Sequence, residues 1–191
     1  IKSSLSFDVE FLKDKYYYIK NLTFLASKSK IKVDKLKLNN NFEVINLENI
    51  EIVTYSNNKK NNDFLIKKSK KIIISGKIFD AQPLLKSLYK KNDKKTFSKS
   101  FKSEMEVNIE EALTGSNDDI SDFSMVAFIN NGSYEKLSLK GNFSQEEIIE
   151  MSIYQINENK KSLQVISDRA RPFLKNFDFI KGFEGGKLEY E

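Results

Sequence analysis

Apolar and polar residues alternate with period two along most of this chain, and that pattern leaves few folds open. Leu5, Phe7, Val9 and Phe11 alternate with Ser4, Ser6, Asp8 and Glu10. Met105, Val107 and Ile109 alternate with Glu104, Glu106, Asn108 and Glu110. Leu137, Leu139, Gly141 and Phe143 alternate with Lys136, Ser138, Lys140 and Asn142. Weaker versions occur at Leu22, Phe24 and Ala26, at Ile31 and Val33, at Leu36 and Leu38, at Ile50 and Ile52, at Ile149, Met151 and Ile153, and at Leu163 and Val165. Successive strand side chains point to opposite faces, so each segment has one apolar and one wet face. The separators are turn-like: Asn130-Asn131-Gly132-Ser133 contains the Asn-Gly step of tight hairpins, and the runs at 57–62 and 157–160 are polar and Asn-rich. Short gaps predict antiparallel neighbours, because a parallel crossover needs a dozen or more residues. The expected fold is mainly β, a long antiparallel meander of about ten or eleven strands.

Two segments break the alternation. Residues 80–90 read DAQPLLKSLYK and residues 168–178 read DRARPFLKNFD. Each opens with an Asp suited to a helix N-cap and carries a Pro near the first turn. Leu84, Leu85 and Leu88 in one, and Phe173, Leu174 and Phe177 in the other, follow at helical spacing. Two short helices are therefore expected. Aligned on their prolines, the segments read as a weak internal repeat with halves 1–90 and 91–191; two unrelated amphipathic helices give the same pattern.

Composition excludes several classes of chemistry. There is no Cys and no His, which removes thiol nucleophiles, disulfides, zinc fingers and Ser-His-Asp triads. The net charge is +5, yet lysine outnumbers arginine 30 to 2 and is interleaved with acids. A nucleic-acid surface favours arginine for bidentate contacts, so no nucleic-acid partner is expected. The acidic pairs Glu110-Glu111, Asp118-Asp119 and Glu146-Glu147 read as solvated turns and edges. Asn117, Asp118 and Asp119 lack the spacing of a calcium loop. Gly182 and Gly185-Gly186 precede no phosphate-binding helix and read as a turn into a last strand, Leu188 to Tyr190. No catalytic residue, metal site or cofactor is expected, and the chain is not expected to be an enzyme.

A meander with one apolar face must cover that face. It can form a sandwich, close into a barrel, or be covered by helices. Two short helices are too small to do so. A strongly curved sheet forming a groove or flattened tube meets the requirement, and acyl chains are a natural filling. The candidate lining residues are Phe7, Val9, Met105, Val107, Ile109, Leu137, Leu139, Ile149, Met151 and Ile153; plain core remains the alternative for each.

The run I-S-G-K-I-F-D-A-Q-P-L-L-K-S-L at 74–88 resembles a "G-x-x-x-D-A-R-P-L-L" segment of the AsmA-like family of large bacterial envelope proteins, in its YhdP-like branch. The run from Leu163 to Tyr190, with Ser167-Asp168, a short helix and the Gly185-Gly186 step, is similar to a later segment of that family. The resemblance covers roughly residues 70–191 and departs from the family where Arg171-Pro172 follow Ala170. It implies a periplasmic protein of a Gram-negative bacterium that conducts phospholipid between the inner and outer membranes through an apolar β-groove. It also implies anchoring in the inner membrane through a segment outside this sequence. Residue 1 is Ile and no signal-peptide pattern follows, so residues 1–191 are expected to be a single fragment of a longer β-groove region. The expected partners are phospholipid acyl chains and other envelope proteins. The alternative is a solid-cored β scaffold that assists outer-membrane assembly through protein contacts.

Overall fold

The alternating segments become strands, and the strands pair in chain order. The computed structural model describes residues 2–12, 16–83, 101–115, 118–157, 160–171 and 186–190. Within them lie β1 (Ser3–Leu12), β2 (Tyr16–Ala26), β3 (Ser29–Leu38), β4 (Val44–Ser56), β5 (Lys59–Lys68), β6 (Lys71–Asp80), β7 (Ser103–Leu113), β8 (Ile120–Asn130), β9 (Ser133–Asn142), β10 (Ile148–Asn157), β11 (Lys160–Ser167) and β12 (Leu188–Tyr190). They form one twelve-stranded sheet in the order β1 to β12. The sheet is open: β1 and β12 are its two edges and do not pair with each other.

The tight turns follow from Asn and Gly. Asn131 and Gly132 have φ of 51° and 70°, and Asn57 and Asn58 have φ of 50° and 63°. Both pairs occupy the left-handed region that two-residue hairpins require. Two further left-handed residues stand inside strands, Asn21 in β2 and Asp122 in β8. Each lies where the pairing register shifts, between Ser6 and Asp8 of β1 and between Ser121 and Ser124 of β8. These are β-bulges, which sharpen the local twist. A third shift falls at Asp63/Phe64, opposite Gly76. A Cβ on Gly76 would stand 2.3 Å from the Asp63 carbonyl oxygen and 2.5 Å from Phe64 Cα, so only glycine lets β5 and β6 meet there.

Two expectations are corrected. The meander is not antiparallel throughout, because β6 and β7 pair in parallel, from Lys71 opposite Glu104 to Asp80 opposite Leu113. The connection from Asp80 to Ser103 is long enough for the crossover a parallel pair needs; its middle, 84–100, lies outside the described residues. The two short helices are not seen either. Among the described residues, helix is confined to 82–83 and 171, and most of both expected helices falls on residues that are not described. Of the Asp residues expected to cap them, Asp80 accepts the Gln82 N–H through Oδ1 at 3.2 Å, as a cap does, and Asp168 is engaged in the sheet instead. Asp80 ends β6, and Ala81 N–H extends that ladder to the Leu113 carbonyl at 2.9 Å. The Asp168 carboxylate accepts the Ile148 N–H at 2.9 Å and pairs with Lys187 at 2.7 Å.

The main core lies on one face of β5 and β7–β9: Phe64, Met105, Val107, Ile109, Ala127, Ile129 and Leu137 are buried together. A smaller cluster of Ala112, Ile120 and Ile149 adjoins it through Phe123 and Leu139.

Candidate functional site

The strand registers align the apolar alternates into one row across the sheet. Leu22 stands opposite Val33, Val33 opposite Ile50, Ile50 opposite Ile66, Ile66 opposite Ile74 and Ile74 opposite Val107. The row continues through Met125, Leu139, Met151, Val165 and Tyr190. Directly opposed residues project from the same face, so β2 to β12 carry an unbroken apolar stripe. Ten steps of about 4.8 Å make it some 48 Å long. A flanking row runs through Leu5, Phe24, Ile31, Ile52, Phe64, Gly76, Ile109 and Phe123.

The other face is its polar counterpart. Ser6, Thr23, Lys32, Glu51, Leu65, Ser75, Asn108, Ser124, Lys140, Glu150, Ile166 and Glu189 form a second continuous row. Ten of these twelve are polar or charged, and ion pairs such as Lys30–Glu51 and Lys71–Glu106 lie on this side. An open cleft of about 760 Å³ crosses β4 to β8 on the same face, lined in part by Glu51, Asp63, Asn108 and Asp122. Two of those acids are already matched, Glu51 by Lys30 and Asp63 by Lys60. Among the described residues, no group of three carboxylates is placed to hold a metal ion.

The lining candidates divide by position. Met105, Val107, Ile109 and Leu137 are buried in the main cluster, with Leu139, Met151 and Ile153 packed against it. Ile149 belongs to the smaller cluster. Phe7 and Val9 stand apart on the edge strand β1, where Phe7 is exposed and Val9 half-buried opposite Ile19. The sequence reading missed Ile66, Ile74, Met125 and Ala127. They sit in near-continuous apolar runs, Phe64-Leu65-Ile66, Ile72-Ile73-Ile74 and Met125-Val126-Ala127-Phe128-Ile129, where alternation is invisible. Only the partner strands reveal which members face the stripe.

A charged clasp at one end of the strands was also missed. Asp118, 1% exposed, is gripped by both arginines of the chain. Arg171 Nε and Nη2 donate to its two oxygens at 2.7 Å each, and Arg169 Nη1 donates at 3.0 Å. Arg169 also donates through Nε and Nη2 to Glu147. The Arg171 bond, then the Arg169 bond, hold the Asp118 carboxyl below the usual carboxylate range against the opposing effect of burial. Arg169, then Ser144, lower Glu147 in the same way. Ala170 N–H donates to the Gly186 carbonyl at 2.8 Å, which closes the connection from β11 to β12. Among the described residues acids and bases balance here: Asp118, Glu147, Asp168, Arg169 and Arg171 line a cavity of about 270 Å³, and Lys187 pairs with Asp168 beside it. A balanced, mutually bonded set is suited to fastening chain rather than to binding an ion. The signal in the sequence was the use of arginine at only these two positions of a lysine-rich chain; the planar guanidinium suits a partly buried bidentate pair.

No protein-family model, no characterised protein and no solved structure matches this chain.

Proposed function

We propose that this chain is a lipid-shielding β segment that conducts phospholipid along its apolar face. The sheet curves about that face into a groove or flattened tube; acyl chains lie along the stripe while the polar face meets water. The step is passive sliding, with no covalent chemistry and no cofactor. In this reading the chain is part of an AsmA-like periplasmic protein that is anchored in the inner membrane and serves the outer membrane.

One observation carries the reading: eleven consecutive strands place an apolar residue in the same cross-strand row, and the sheet that bears the row is open at both edges. A domain that only needed a core could leave such a row broken wherever packing allowed. A continuous stripe also gives a sliding acyl chain an apolar contact at every strand it crosses. The test is native mass spectrometry of the purified chain, followed by solvent extraction. Phospholipid that co-purifies at a fixed stoichiometry supports conduction; lipid-free protein from lipid-rich cells counts against it.

A second reading is favoured by the burial of Ile109, Ala127 and Ile129 in the middle of the sheet. There the face is filled by side chains, as in a solid-cored β scaffold that assists outer-membrane assembly through protein contacts. Native mass spectrometry separates the two, because the scaffold binds no lipid.

A further inference from the structure

Two edges of the sheet carry backbone groups with no strand beside them. β1 has no neighbour on its outer side, and β12 pairs only with Val165 to Ser167 of β11. Lys160 to Gln164 of that edge have no strand opposite them among the described residues. Open edges of this kind accept another strand. The apolar alternates are bare at both: Leu5 and Phe7 are 57% and 54% exposed on β1, and Leu163 is 38% exposed on β11.

The short β12 shows which strand fits on β11. It runs antiparallel, with Leu188 opposite Ser167 and Tyr190 opposite Val165, and Lys187 just before it pairs with Asp168 at 2.7 Å. β1 repeats this pattern. Lys2 laid where Lys187 stands puts Ser3 in the place of Leu188 and Leu5 in that of Tyr190. The longer β1 then runs on past β12: Phe7 falls opposite Leu163 and Glu10 opposite Lys160. Apolar alternates meet apolar alternates, and both ends of the pairing close on opposite charges, Lys2 with Asp168 and Glu10 with Lys160. Asp8 falls opposite Ser162. Lys161, which donates to the Tyr134 carbonyl, falls opposite Val9, so no like charges oppose each other. Glu10 meets Lys20 of its own sheet at 2.7 Å and stays 54% exposed, and Lys160 forms no ion pair among the described residues. Registers two residues away lose both charge pairs and regain at most one, and a slip of one residue turns apolar side chains against polar ones. Direction agrees as well. β1 and β11 run in opposite senses across the sheet. A second copy set beside β11 with its apolar face on the same side therefore brings β1 in antiparallel, as β12 lies.

We infer that the β1 edge of one copy pairs with the β11 edge of a second, displacing β12, so that copies join head to tail. The contact satisfies both kinds of edge and leaves one of each free at the ends, so the assembly grows as an open series rather than closing as a dimer. The inference rests on the two edges and stands apart from lipid conduction along the stripe.

The test is sedimentation of the 191-residue chain over a range of concentrations. Dimer, trimer and larger species are expected in succession. Deleting residues 186–191 frees the whole of β11 and is expected to bring association on at about tenfold lower concentration. Glu10→Lys sets a like charge against Lys160 and is expected to weaken association about fivefold; Lys160→Glu in the same chain is expected to restore it. The chain has no cysteine, so a Ser6→Cys copy mixed with a Gln164→Cys copy reads the register, because those positions fall opposite each other within disulfide reach. A linked dimer is expected from the mixture and from neither variant alone. Monomer at every concentration for both the full and the shortened chain would overturn the inference. So would association that stops at a dimer linked through Ser6→Cys alone, which is β1 on β1, association weakened by the deletion, or charge exchange without rescue. Bound phospholipid adds its own mass to each species and leaves the linked dimer in place, so failure of pairing and failure of conduction give different results.

Discussion

Replacing Asp118 by Asn tests how the clasp fastens the chain between β11 and β12. The side chain keeps its shape and loses its charge. In the parent, its two oxygens take three bonds from two guanidinium groups at 2.7, 2.7 and 3.0 Å. Breaking a fully buried pair costs about 3–5 kcal/mol. The two arginines are 31% and 36% exposed on their side chains, so they can turn partly to water, and Arg169 retains Glu147. The expected loss is therefore about 2 kcal/mol, a large fraction of a typical 5–15 kcal/mol stability. Urea unfolding read by circular dichroism gives the value, as a lower midpoint at an unchanged slope. The pH dependence follows from the same contact. The folded-state pKa of Asp118 is depressed, so its contribution is fully present above the unfolded carboxylate value of about 3.9 and is lost as pH falls through the lower folded value. Glu147 and Asp168 are shifted in the same direction and add to this acid limb. Asp118→Asn is expected to remove its share of the acid limb and to leave the neutral-to-alkaline side flat. A loss under about 0.5 kcal/mol, or an acid limb identical to the parent's, would refute the reasoning.

Gly76→Val is expected to prevent the meeting of β5 and β6, since its Cβ would fall 2.3 Å from the Asp63 carbonyl oxygen; poor soluble yield, or a destabilisation of about 3 kcal/mol by urea titration, is the expected outcome. Ile129→Ala, at the 0% exposed centre of the core, is expected to cost about 3 kcal/mol through lost burial and the cavity left behind, read as a lower thermal midpoint.

The strands were legible because the chain labels them twice, by alternation and by turn residues. Met105 to Ile109 and Leu137 to Gly141 became β7 and β9 with their apolar alternates facing the core, and Leu5 to Phe11 became β1, where Leu5, Phe7 and Phe11 stay exposed. The Asn-Gly step became the turn between β8 and β9. The parallel pairing of β6 with β7 was not legible, because strand direction depends on where a long connection returns the chain. The length of the stripe was also hidden. Ile66, Ile74 and Met125 have apolar chain neighbours, and only the cross-strand register assigns them to one face. The clasp was misread for another reason. Asp118 looks like any solvated turn acid until Arg169 and Arg171, some fifty residues away, are folded against it.

The most direct test of the central claim places a photo-crosslinking residue along the stripe, at Leu22, Ile50, Leu139 and Met151 in turn, with Ser6, Lys140 and Glu150 of the polar row as controls. After illumination in cells, phospholipid is sought on the purified chain. The account predicts lipid adducts at the four stripe positions and none at the three controls. Adducts absent from the stripe, or equal on both faces, would contradict it.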